Sequence, residues 1–452
     1  MKIPIYTGLQ MLEDAVKGES VSRHLLRLRK MKKADPEFIR DYQFQAMKTL
    51  IAYAYKNTVF YRHRFEEQGV QPGDIKSFDD FARLKPVTRE DIQEHSLDII
   101  SKEFSRDSLL CGHSSGSTGE PITYYHDRQA YSAGRAAVLA GWELAGKEPG
   151  DKMITLWGNR DTVEDNWSKP GSRIKAGLYR NKRFPVDKFI EESYFQEILD
   201  VLIKQKGGFI FGYTQPIYML ACHAREQGIK LERKFDGVLT TAEKLLPDQR
   251  ELMEEVLGPV FDGYGSREIL GKAYQCRERK GYHIVEPNLI FEKEDFKDDT
   301  KEVIVTDLWN FAWPLIRYKI GDLIAGEFGR CTCGCTWKTF ETIIGRRNEI
   351  MRLPNGGFLS PMFWVIDDIM KHYSQGKQRQ VARVSDTKFV FRVQLFKGQD
   401  PSFVEDLRAA VAERFKGILE TDVEVVESFP LGPSGKHRSM VDETSFHTPT
   451  KE

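Results

Sequence analysis

Several features are scarce in this sequence, and each scarcity excludes a class of protein. The 452 residues contain no run that approaches the roughly 20 apolar residues needed to cross a bilayer, so we expect no membrane span. Lysine and arginine together number 67, as do aspartate and glutamate, and the net charge is zero. Such a chain lacks the basic surface that non-specific nucleic-acid binding requires, so we expect no nucleic-acid partner.

Cysteine is scarce as well, and its scarcity bears on the compartment. Six cysteines in a chain of this length do not make a disulfide scaffold. Residues 1–10 include one lysine and no long apolar run, which indicates no signal peptide. We therefore expect a cytoplasmic protein whose thiols are reduced or bound to a metal.

The hydrophobic pattern changes along the chain, whose length favours at least two domains. Residues 8–70 have apolar side chains at helical spacing. Beyond about residue 105, short apolar runs alternate with helical patterns, as in a βαβ architecture. The predicted strands of this part are residues 153–157, 208–213, 237–241 and 260–264, and strand patterns dominate residues 281–345.

A second pattern begins after residue 345. Residues 354–357 read Pro-Asn-Gly-Gly, which is typical of a hairpin turn. The elements predicted beyond it are a helix over 362–373, strands over 380–384 and 388–395, a helix over 402–415 and a strand over 422–426. This α+β pattern can form a small domain of its own. We predict an α/β protein with a large N-terminal domain, residues 1–345, and a small C-terminal domain, residues 346–452.

The first motif with chemical content is the segment 114–121, which reads Ser-Ser-Gly-Ser-Thr-Gly-Glu-Pro. A loop rich in glycine and hydroxyls exposes backbone N–H groups and lets a phosphate approach closely. It is not a P-loop, because that motif needs a lysine directly after the last glycine, and Glu120 stands there. On composition alone, a polar turn explains the segment equally well.

Two further segments contain residue types that hold a nucleotide. Residues 262–268 read Asp-Gly-Tyr-Gly-Ser-Arg-Glu, where Tyr264 can stack on a base and Glu268 can hold Mg2+. Residues 317–322 read Arg-Tyr-Lys-Ile-Gly-Asp, and Asp322, predicted at a strand end, can accept hydrogen bonds from a ribose diol. The alternatives are an ordinary strand-to-loop junction and a surface turn carboxylate.

Two basic segments complete the set of motifs. Residues 345–350 read Gly-Arg-Arg-Asn-Glu-Ile at the proposed domain boundary. Residues 433–438 read Pro-Ser-Gly-Lys-His-Arg, where Lys436 on a Ser-Gly turn is a mobile point charge suited to a phosphate or carboxylate. A solvated basic tail is the alternative for this segment.

The order of these five motifs resembles that of the adenylate-forming superfamily of acyl-CoA synthetases, peptide-synthetase adenylation domains and luciferases. Within it the chain resembles the phenylacetate-CoA ligase family, and more closely its branch associated with capsular polysaccharide biosynthesis. Residues 239–245, Leu-Thr-Thr-Ala-Glu-Lys-Leu, and the helical residues 53–62 are typical of that branch. The resemblance covers nearly the whole chain. It implies a large N-terminal α/β adenylate-forming domain and a small α+β C-terminal domain on a hinge.

The resemblance also implies a role for each motif residue. The implied nucleotide-binding residues are Ser114, Ser115, Gly116, Ser117, Thr118 and Gly119 at the β- and γ-phosphates, Ala242, Glu243 and Lys244 beside adenine, and Tyr264, Gly265, Ser266, Asp322 and Arg346 at the base and ribose. Glu268 would hold Mg2+, and Lys436 would enter the site for adenylation. Asn348 aligns with the family's hinge aspartate. Arg267 replaces a threonine or serine that is usual outside the branch, and its charge would pair with a phosphate or with an acidic substrate.

The function that the resemblance implies is activation of a carboxylic acid with ATP and Mg2+, followed by transfer of the acyl group. Coenzyme A is the acceptor that it favours, and relatives are often homodimers. The alternative acceptor is an amine or hydroxyl, for example on a sugar or peptide, which the capsule branch favours by association only. A third hypothesis, a nucleotide-binding scaffold, is disfavoured because the chain retains Glu268, Asp322, Arg346 and Lys436 together.

The cysteine spacing predicts a metal site. Cys276 and His283 are spaced Cys-x6-His, and Cys331, Cys333 and Cys335 alternate with single residues further along. Thiolates with one imidazole suit tetrahedral Zn2+, and members of the resembled family carry a structural zinc between such segments. We predict that one zinc binds a set of four, with Cys335 spare, whereas the alternative is a group of reduced cysteines near a turn. The predicted ligands are Cys276, His283, Cys331 and Cys333.

Three aromatic residues lie at or near predicted strand ends: Trp157, Phe211 and Tyr213. They are compatible with a pocket for an aryl acid. Aromatic strand residues are more often plain core, so this interpretation is kept beside the ordinary one.

Overall fold

The computed structural model describes most of the chain. The described residues are 2–114, 122–158, 176–186, 192–297, 300–347, 351–355, 358–359, 375–429, 437 and 439–444. They divide into two compact units. The first unit comprises Met1–Asp151 and Phe261–Ile343, and the second comprises Lys152–Val260 and Ile344–Glu452.

Helices fill the N-terminal part of the chain and recur between strands later. In chain order the main helices are α1 (Lys2–Lys17), α2 (Val21–Met31), α3 (Pro36–Asn57), α4 (Val59–Glu67), α5 (Phe78–Ala82), α6 (Arg89–His95), α7 (Arg128–Leu144), α8 (Glu192–Gln205), α9 (Thr214–Glu226), α10 (Pro247–Val256) and α11 (Phe403–Arg414). The prediction of helices over residues 8–70 is confirmed. Among the described residues, none of the helices combines the length and the hydropathy that a bilayer crossing requires.

The strands begin after the helical opening. In chain order they are β1 (Leu110–His113), β2 (Thr123–His126), β3 (Met153–Leu156), β4 (Asn181–Phe184), β5 (Phe209–Tyr213), β6 (Gly237–Thr241), β7 (Val260–Tyr264), β8 (Ala273–Gln275), β9 (Tyr282–Ile284), β10 (Leu289–Lys297), β11 (Thr300–Asp307), β12 (Tyr318–Ala325), β13 (Thr339–Phe340), β14 (Thr342–Arg346), β15 (Met351–Arg352), β16 (Phe358–Leu359), β17 (Gln378–Arg383), β18 (Lys388–Gln394), β19 (Glu420–Val425) and β20 (Met440–Asp442). The mixture of helices and sheets confirms the predicted α/β class.

Helix α3 shows how local sequence builds the first unit. Asp35 caps its start by accepting a hydrogen bond from the Glu37 backbone N–H at 2.7 Å, and Pro36 occupies the first turn, where its missing N–H costs nothing. The apolar stripe expected from the 3.6-residue period lies in the core. Its buried members are Met47, Leu50, Ile51 and Ala54.

The strands of the first unit are antiparallel. β7 pairs with β8, β8 with β9 and β9 with β13, while β10, β11 and β12 form a meander. Trp313 is fully buried in the core. Nearby, the Tyr61 hydroxyl donates to the Pro314 carbonyl at 3.0 Å and accepts from the Ile316 N–H at 2.9 Å. These bonds tie helix α4 to the loop between β11 and β12.

The second unit contains the predicted βαβ pattern. β3 pairs in parallel with β4 and β5, and β5 pairs in parallel with β6. Helices α8 and α9 provide the connections into β5 and β6, as parallel strands require. β3 and β5 approach so closely that a Cβ on Gly212 would lie 2.4 Å from the Leu156 carbonyl oxygen, so only glycine fits.

The C-terminal part of the second unit has a sheet of its own. β17 pairs antiparallel with β18, β18 pairs in parallel with β19, and β17 pairs in parallel with β20. Helix α11 contributes Leu407 and Val411 to a core shared with Phe389 and Phe391. The predicted strands and the 402–415 helix are confirmed within two residues, whereas β20 was not predicted.

Two predictions for this region have different outcomes. β15 and β16 pair antiparallel on either side of residues 354–357, which confirms the predicted hairpin. The predicted helix over 362–373 lies outside the described residues. The domain boundary after residue 345 stays a prediction.

Candidate functional site

Tyr264 ends β7 in the first unit and is buried there. Its hydroxyl donates a hydrogen bond of 2.5 Å to Oδ2 of Asp322. Its ring makes edge-to-face contacts with Phe291 and Phe340, at centroid distances of 6.4 and 6.2 Å. The aromatic ring that the sequence assigns to the base is therefore held by a specific polar contact and by core aromatic residues.

The predicted position of Asp322 at a strand end is wrong, because the residue lies inside β12. Register pairs Glu302–Leu323 and Ile304–Lys319 leave three β12 residues opposite a single residue of β11. Gly321, in the middle of this bulge, has a φ of +78°, which glycine adopts without steric cost. A bulge re-aims the side chains of a strand, and here it accompanies a carboxylate that is buried against Tyr264.

Glu268 follows in the irregular segment after β7 and is also buried. The segment turns at Ser266, whose hydroxyl accepts from the Ile269 N–H at 3.2 Å. Nε2 of His126 donates to the Glu268 carbonyl oxygen at 3.0 Å. Burial lowers the pKa of His126, so the ring stays neutral near pH 7. The hydrogen bond from His126 in β2 thus holds the backbone of Glu268 in place.

Ser114 closes the base of the first motif. Its N–H donates to the Ile122 carbonyl at 2.8 Å, and its hydroxyl accepts from the Ile122 N–H at 2.9 Å. Nη1 of Arg267 donates to the carbonyl of His113 at 3.1 Å, one residue before Ser114. The other predicted phosphate-binding residues lie outside the described residues; they are Ser115, Gly116, Ser117, Thr118 and Gly119.

The predicted adenine segment follows β6 in the second unit. Ala242 has a φ of +72°, a conformation that costs a non-glycine residue roughly 1–2 kcal/mol. Oε2 of Glu243 accepts from the Gln215 N–H at 2.9 Å at the start of α9. Nζ of Lys244 donates to the Ile344 carbonyl at 2.8 Å. Surrounding hydrogen bonds therefore hold this strained segment in place.

Glu243 also reaches the segment that carries the predicted catalytic lysine. Its Oε1 accepts from the N–H of His437 at 3.3 Å, and Nε2 of His437 donates to the Arg379 carbonyl at 2.8 Å. Burial lowers the pKa of His437. Lys436 and the predicted hinge residue Asn348 lie outside the described residues, and Arg346 is half-buried at the end of β14.

Lys272 is a residue that the sequence interpretation missed. Its side chain is 0% exposed, and its Nζ lies 3.8 Å from Oδ2 of Asp322 and 4.2 Å from the centroid of the Tyr264 ring. A signal was present in the sequence. Lys272 stands alone among apolar and small residues, between Gly271 and Ala273, where a solvated lysine is not expected.

The predicted metal ligands converge in the first unit. The ligand atoms of Cys276, His283, Cys331 and Cys333 all lie within 4.8 Å of one another. Sγ of Cys276 is 3.7 Å from Sγ of Cys331, and Sγ of Cys333 is 3.4 Å from Nε2 of His283. A tetrahedral zinc ion separates its ligand atoms by roughly 3.3–3.8 Å. Cys335 is buried outside this group.

Burial shifts the pKa of two members of this group, His283 and Cys276. Burial lowers the pKa of His283 to about 4, so the imidazole is neutral near pH 7, which is the form that binds a metal. Burial raises the pKa of the Cys276 thiol to about 12. Metal binding at such a thiol displaces its proton.

The three aromatic residues meet in the second unit, where Trp157 follows β3, Phe211 lies in the middle of β5 and Tyr213 ends β5. The rings of Trp157 and Phe211 stack with centroids 5.3 Å apart, and those of Trp157 and Tyr213 are 4.3 Å apart. Trp157 remains 37% exposed. Tyr213 is buried in the hydrophobic core of this unit, so the cluster joins an exposed tryptophan to core residues, and its role in a substrate pocket stays a prediction.

Sequence comparison finds relatives along most of the chain, although no family model matches it. The chain is 27% identical over 334 residues to a phenylacetate-coenzyme A ligase of Thermus thermophilus, covering 70% of this chain and 72% of that protein. It is 24% identical over 418 residues to the protein CapK of Staphylococcus aureus, covering 88% of each.

Solved structures show a shared fold. A 2-hydroxyisobutyryl-CoA ligase in its postadenylation state matches with a TM-score of 0.72 and 19% identity, over 92% of both chains. The same ligase with 2-HIB-AMP and CoA matches with a TM-score of 0.59 and 20% identity, over 92% of this chain and 91% of that one. The amide bond synthetase McbA of Marinactinospora thermotolerans matches with a TM-score of 0.50 and 16% identity, over 76% of this chain and 70% of that one.

Proposed function

We propose that this homologue of the phenylacetate-coenzyme A ligases, which has the fold of the adenylate-forming ligases, activates a carboxylic acid with ATP and passes the acyl group to coenzyme A. The observation that supports it best is the buried contact of 2.5 Å between Tyr264 and Asp322. These are the residues that the resemblance assigns to the base and the ribose. A scaffold protein has no need to bury such a pair beside Lys272.

The acid would attack the α-phosphate of ATP and release pyrophosphate. Glu268 offers a buried carboxylate, an oxygen ligand of the kind that Mg2+ prefers. Mg2+ supplies positive charge that offsets the charge of the phosphates. Lys436 would add a second positive charge in the transition state, when the leaving pyrophosphate separates.

The resemblance assigns nucleotide-binding roles to residues in each of the two units. Asp322 would accept hydrogen bonds from the ribose hydroxyls, and Tyr264 would offer a ring face to adenine. Arg346 would also reach the ribose, and Ala242 would border the base. The strained φ of Ala242 supports a role in ligand contact, because strain of this kind is concentrated at functional sites.

The acceptor has two candidates. Coenzyme A is supported by the coenzyme A ligases that the chain resembles in sequence and in fold. An amine or hydroxyl is the second candidate, supported by the likeness to CapK and by an amide bond synthetase that shares the fold. Homodimer formation and a cytoplasmic location stay predictions.

The test of this function is pyrophosphate release from ATP and Mg2+ with a panel of aryl, fatty and amino acids. We expect release by wild type, and loss by about a hundredfold or more in Lys436→Ala. Lys416→Ala, which removes an exposed lysine of the second unit, is the matched control. Stimulation by coenzyme A identifies the thioester ligase. Release without stimulation indicates an amine or hydroxyl acceptor, and equal rates in wild type and Lys436→Ala would overturn the proposed mechanism.

We also propose that the four converging ligands hold one structural zinc ion. Three thiolates and one neutral imidazole match the donors that zinc prefers, and four protein ligands leave no position open for water. The zinc would join the end of β8, strand β9 and the loop before β13. Metal analysis of the purified protein should give one equivalent, and less than about half an equivalent would contradict the assignment.

A further inference from the structure

Lys272 is a charged residue in the interior of the first unit that the proposed function does not use. Its side chain has no solvent exposure, and that of Asp322 is 11% exposed. A buried ammonium group is costly unless an opposite charge or a polar partner compensates it. Here the carboxylate of Asp322 lies 3.8 Å away and the face of the Tyr264 ring 4.2 Å away.

The main chain fixes Lys272 on both sides. Its N–H donates to the Tyr264 carbonyl at 3.0 Å, and its carbonyl accepts from the Val285 N–H at 2.9 Å. The preceding residue, Gly271, has a φ of +64°, and a Cβ there would lie 2.6 Å from Cβ of Ala137 in α7. The backbone of Lys272 is therefore fixed in position, and the fold directs its side chain toward Asp322.

Lys272 and Tyr264 both lie close to the same atom, Oδ2 of Asp322. The Tyr264 hydroxyl donates to Oδ2 of Asp322, and Nζ of Lys272 approaches that oxygen too. The Tyr264 hydroxyl and the Lys272 ammonium group, both held in place, therefore orient the carboxylate of Asp322. Solvent screens this interaction little, because neither charged side chain lies at the surface.

The same ammonium group also orders the tyrosine. A cation over one face of an aromatic ring is attracted by the ring's electron density. Lys272 occupies one face of the Tyr264 ring, and a ring has only two faces. The opposite face is then the one that an adenine would stack on.

We infer that Lys272 is a positioning residue of the nucleotide site, which sets the carboxylate of Asp322 toward the ribose hydroxyls and presents one face of Tyr264 to adenine. This inference rests on the proposed function. Lys272 touches neither the acid nor the reacting phosphate in this scheme. It acts through Asp322 and Tyr264, so its loss should weaken nucleotide recognition more than turnover.

The test replaces Lys272 by methionine, which keeps the length of the side chain and removes its charge. The Michaelis constant for ATP should rise about tenfold or more, because a charged hydrogen-bonding group loses its orientation. The value of kcat and the Michaelis constant for the acid should change little. The preference for ATP over 2′-deoxy-ATP and 3′-deoxy-ATP, measured as kcat/KM, should fall toward one. Lys272→Arg, which restores the charge, should recover part of that preference.

A matched control is available in the same unit. Nζ of Lys293 lies 4.8 Å from the centroid of the Phe328 ring and pairs with Glu327. This site therefore also combines an ammonium group, a carboxylate and an aromatic ring, but away from Tyr264. Lys293→Met should leave the preference for ATP unchanged. If Lys272→Met and Lys293→Met lose thermal stability alike and keep the wild-type preference for ATP over its deoxy analogues, Lys272 is a structural ion pair and the inference is wrong.

The failure of the inference can be told from failure of the proposed function. Binding of ATP and its deoxy analogues by wild type is measured first, by calorimetry without any acid. If wild type does not bind ATP, the proposed function fails and the inference fails with it. If wild type prefers ATP and Lys272→Met keeps that preference, only the inference fails. Should Lys272→Met not fold, Lys272→Gln, which keeps a polar end, is measured by the same criteria.

Discussion

The two ends of β8 carry clusters of different character. Lys272 precedes the strand and lies against Asp322 and Tyr264, so a positive charge, a negative charge and an aromatic face compensate one another. Cys276 follows the strand and meets two thiols and the imidazole of His283, all of which are electron-pair donors. The first cluster already contains a cation, the ammonium group of Lys272. The second becomes favourable when a cation lies among its donors.

This difference teaches what each cluster can do. We expect the first cluster, whose charges are already balanced, to orient Asp322 and Tyr264 toward a nucleotide. We expect the four converging donors to gain stability by binding a metal, as structural zinc sites do. We call the cluster at Lys272 the nucleotide end of β8 and the cluster at Cys276 its metal end. Because both clusters flank a strand of three residues, we expect the metal end to support the rigidity of the nucleotide end.

The largest effect on catalysis is expected from the nucleotide end. Asp322→Ala should raise the Michaelis constant for ATP by about tenfold or more, because a charged acceptor of the ribose hydroxyls is lost. The value of kcat should fall much less, since this contact is made in the ground state and in the transition state alike. Steady-state kinetics with ATP as the varied substrate provide the measurement.

The control is Asp295→Ala, which removes an exposed aspartate that pairs with Lys301 in the same unit. Zinc content should be equal in wild type and both variants. An unchanged Michaelis constant in Asp322→Ala would mean that Asp322 serves only to neutralise Lys272.

A smaller effect on catalysis and a larger one on stability is expected from the metal end. Cys276→Ser should lower zinc content and reduce the free energy of unfolding by about 2 kcal/mol or more, since loss of a metal is among the most destabilising changes. At low temperature the Michaelis constant for ATP should stay near the wild-type value. Metal analysis and thermal unfolding test both statements.

Cys335→Ser is the matched control, because Cys335 is buried nearby and outside the converging group. It should keep one zinc per chain. Equal zinc content in Cys276→Ser and wild type would contradict the assignment of Cys276 as a zinc ligand.

The same comparison shows which features the sequence could predict. The stripe of α3 and the parallel strands of the second unit follow from local periodicity, and the structure confirms both. The convergence of Cys276, His283, Cys331 and Cys333 was predictable, because residues of these types at this spacing favour a metal site. The helical stripe and the strands are local signals, whereas the cysteine and histidine group is recognised by residue type, although two segments about 50 residues apart supply it.

The nucleotide end contains features that no local pattern reveals. Lys272 is buried because Asp322, fifty residues further along, lies beside it in the fold. The bulge that holds Asp322 depends on the register between β11 and β12, which periodicity does not determine. The sequence therefore predicted Tyr264 and Asp322 as site residues without revealing the contacts that surround them in the structure.

The smallest effect is expected at Arg267, which lies between Tyr264 and Lys272 in the chain. The sequence left open whether its charge serves a phosphate or an acidic substrate. Its guanidinium donates to the His113 carbonyl at 3.1 Å, next to Ser114, where the predicted phosphate loop begins. This contact favours the phosphate. Because the group is exposed, Arg267→Thr should raise the Michaelis constant for ATP by only about two- to fivefold.

Inhibition by pyrophosphate sharpens this prediction. If Arg267 serves the phosphates, Arg267→Thr should weaken that inhibition by a similar factor and leave the Michaelis constant for the acid unchanged. Arg267→Lys keeps the charge and should behave more like wild type. A change only in the Michaelis constant for the acid would instead assign Arg267 to an acidic substrate. Lys272 and Asp322 would then be the charged residues of this segment that serve the nucleotide, without Arg267.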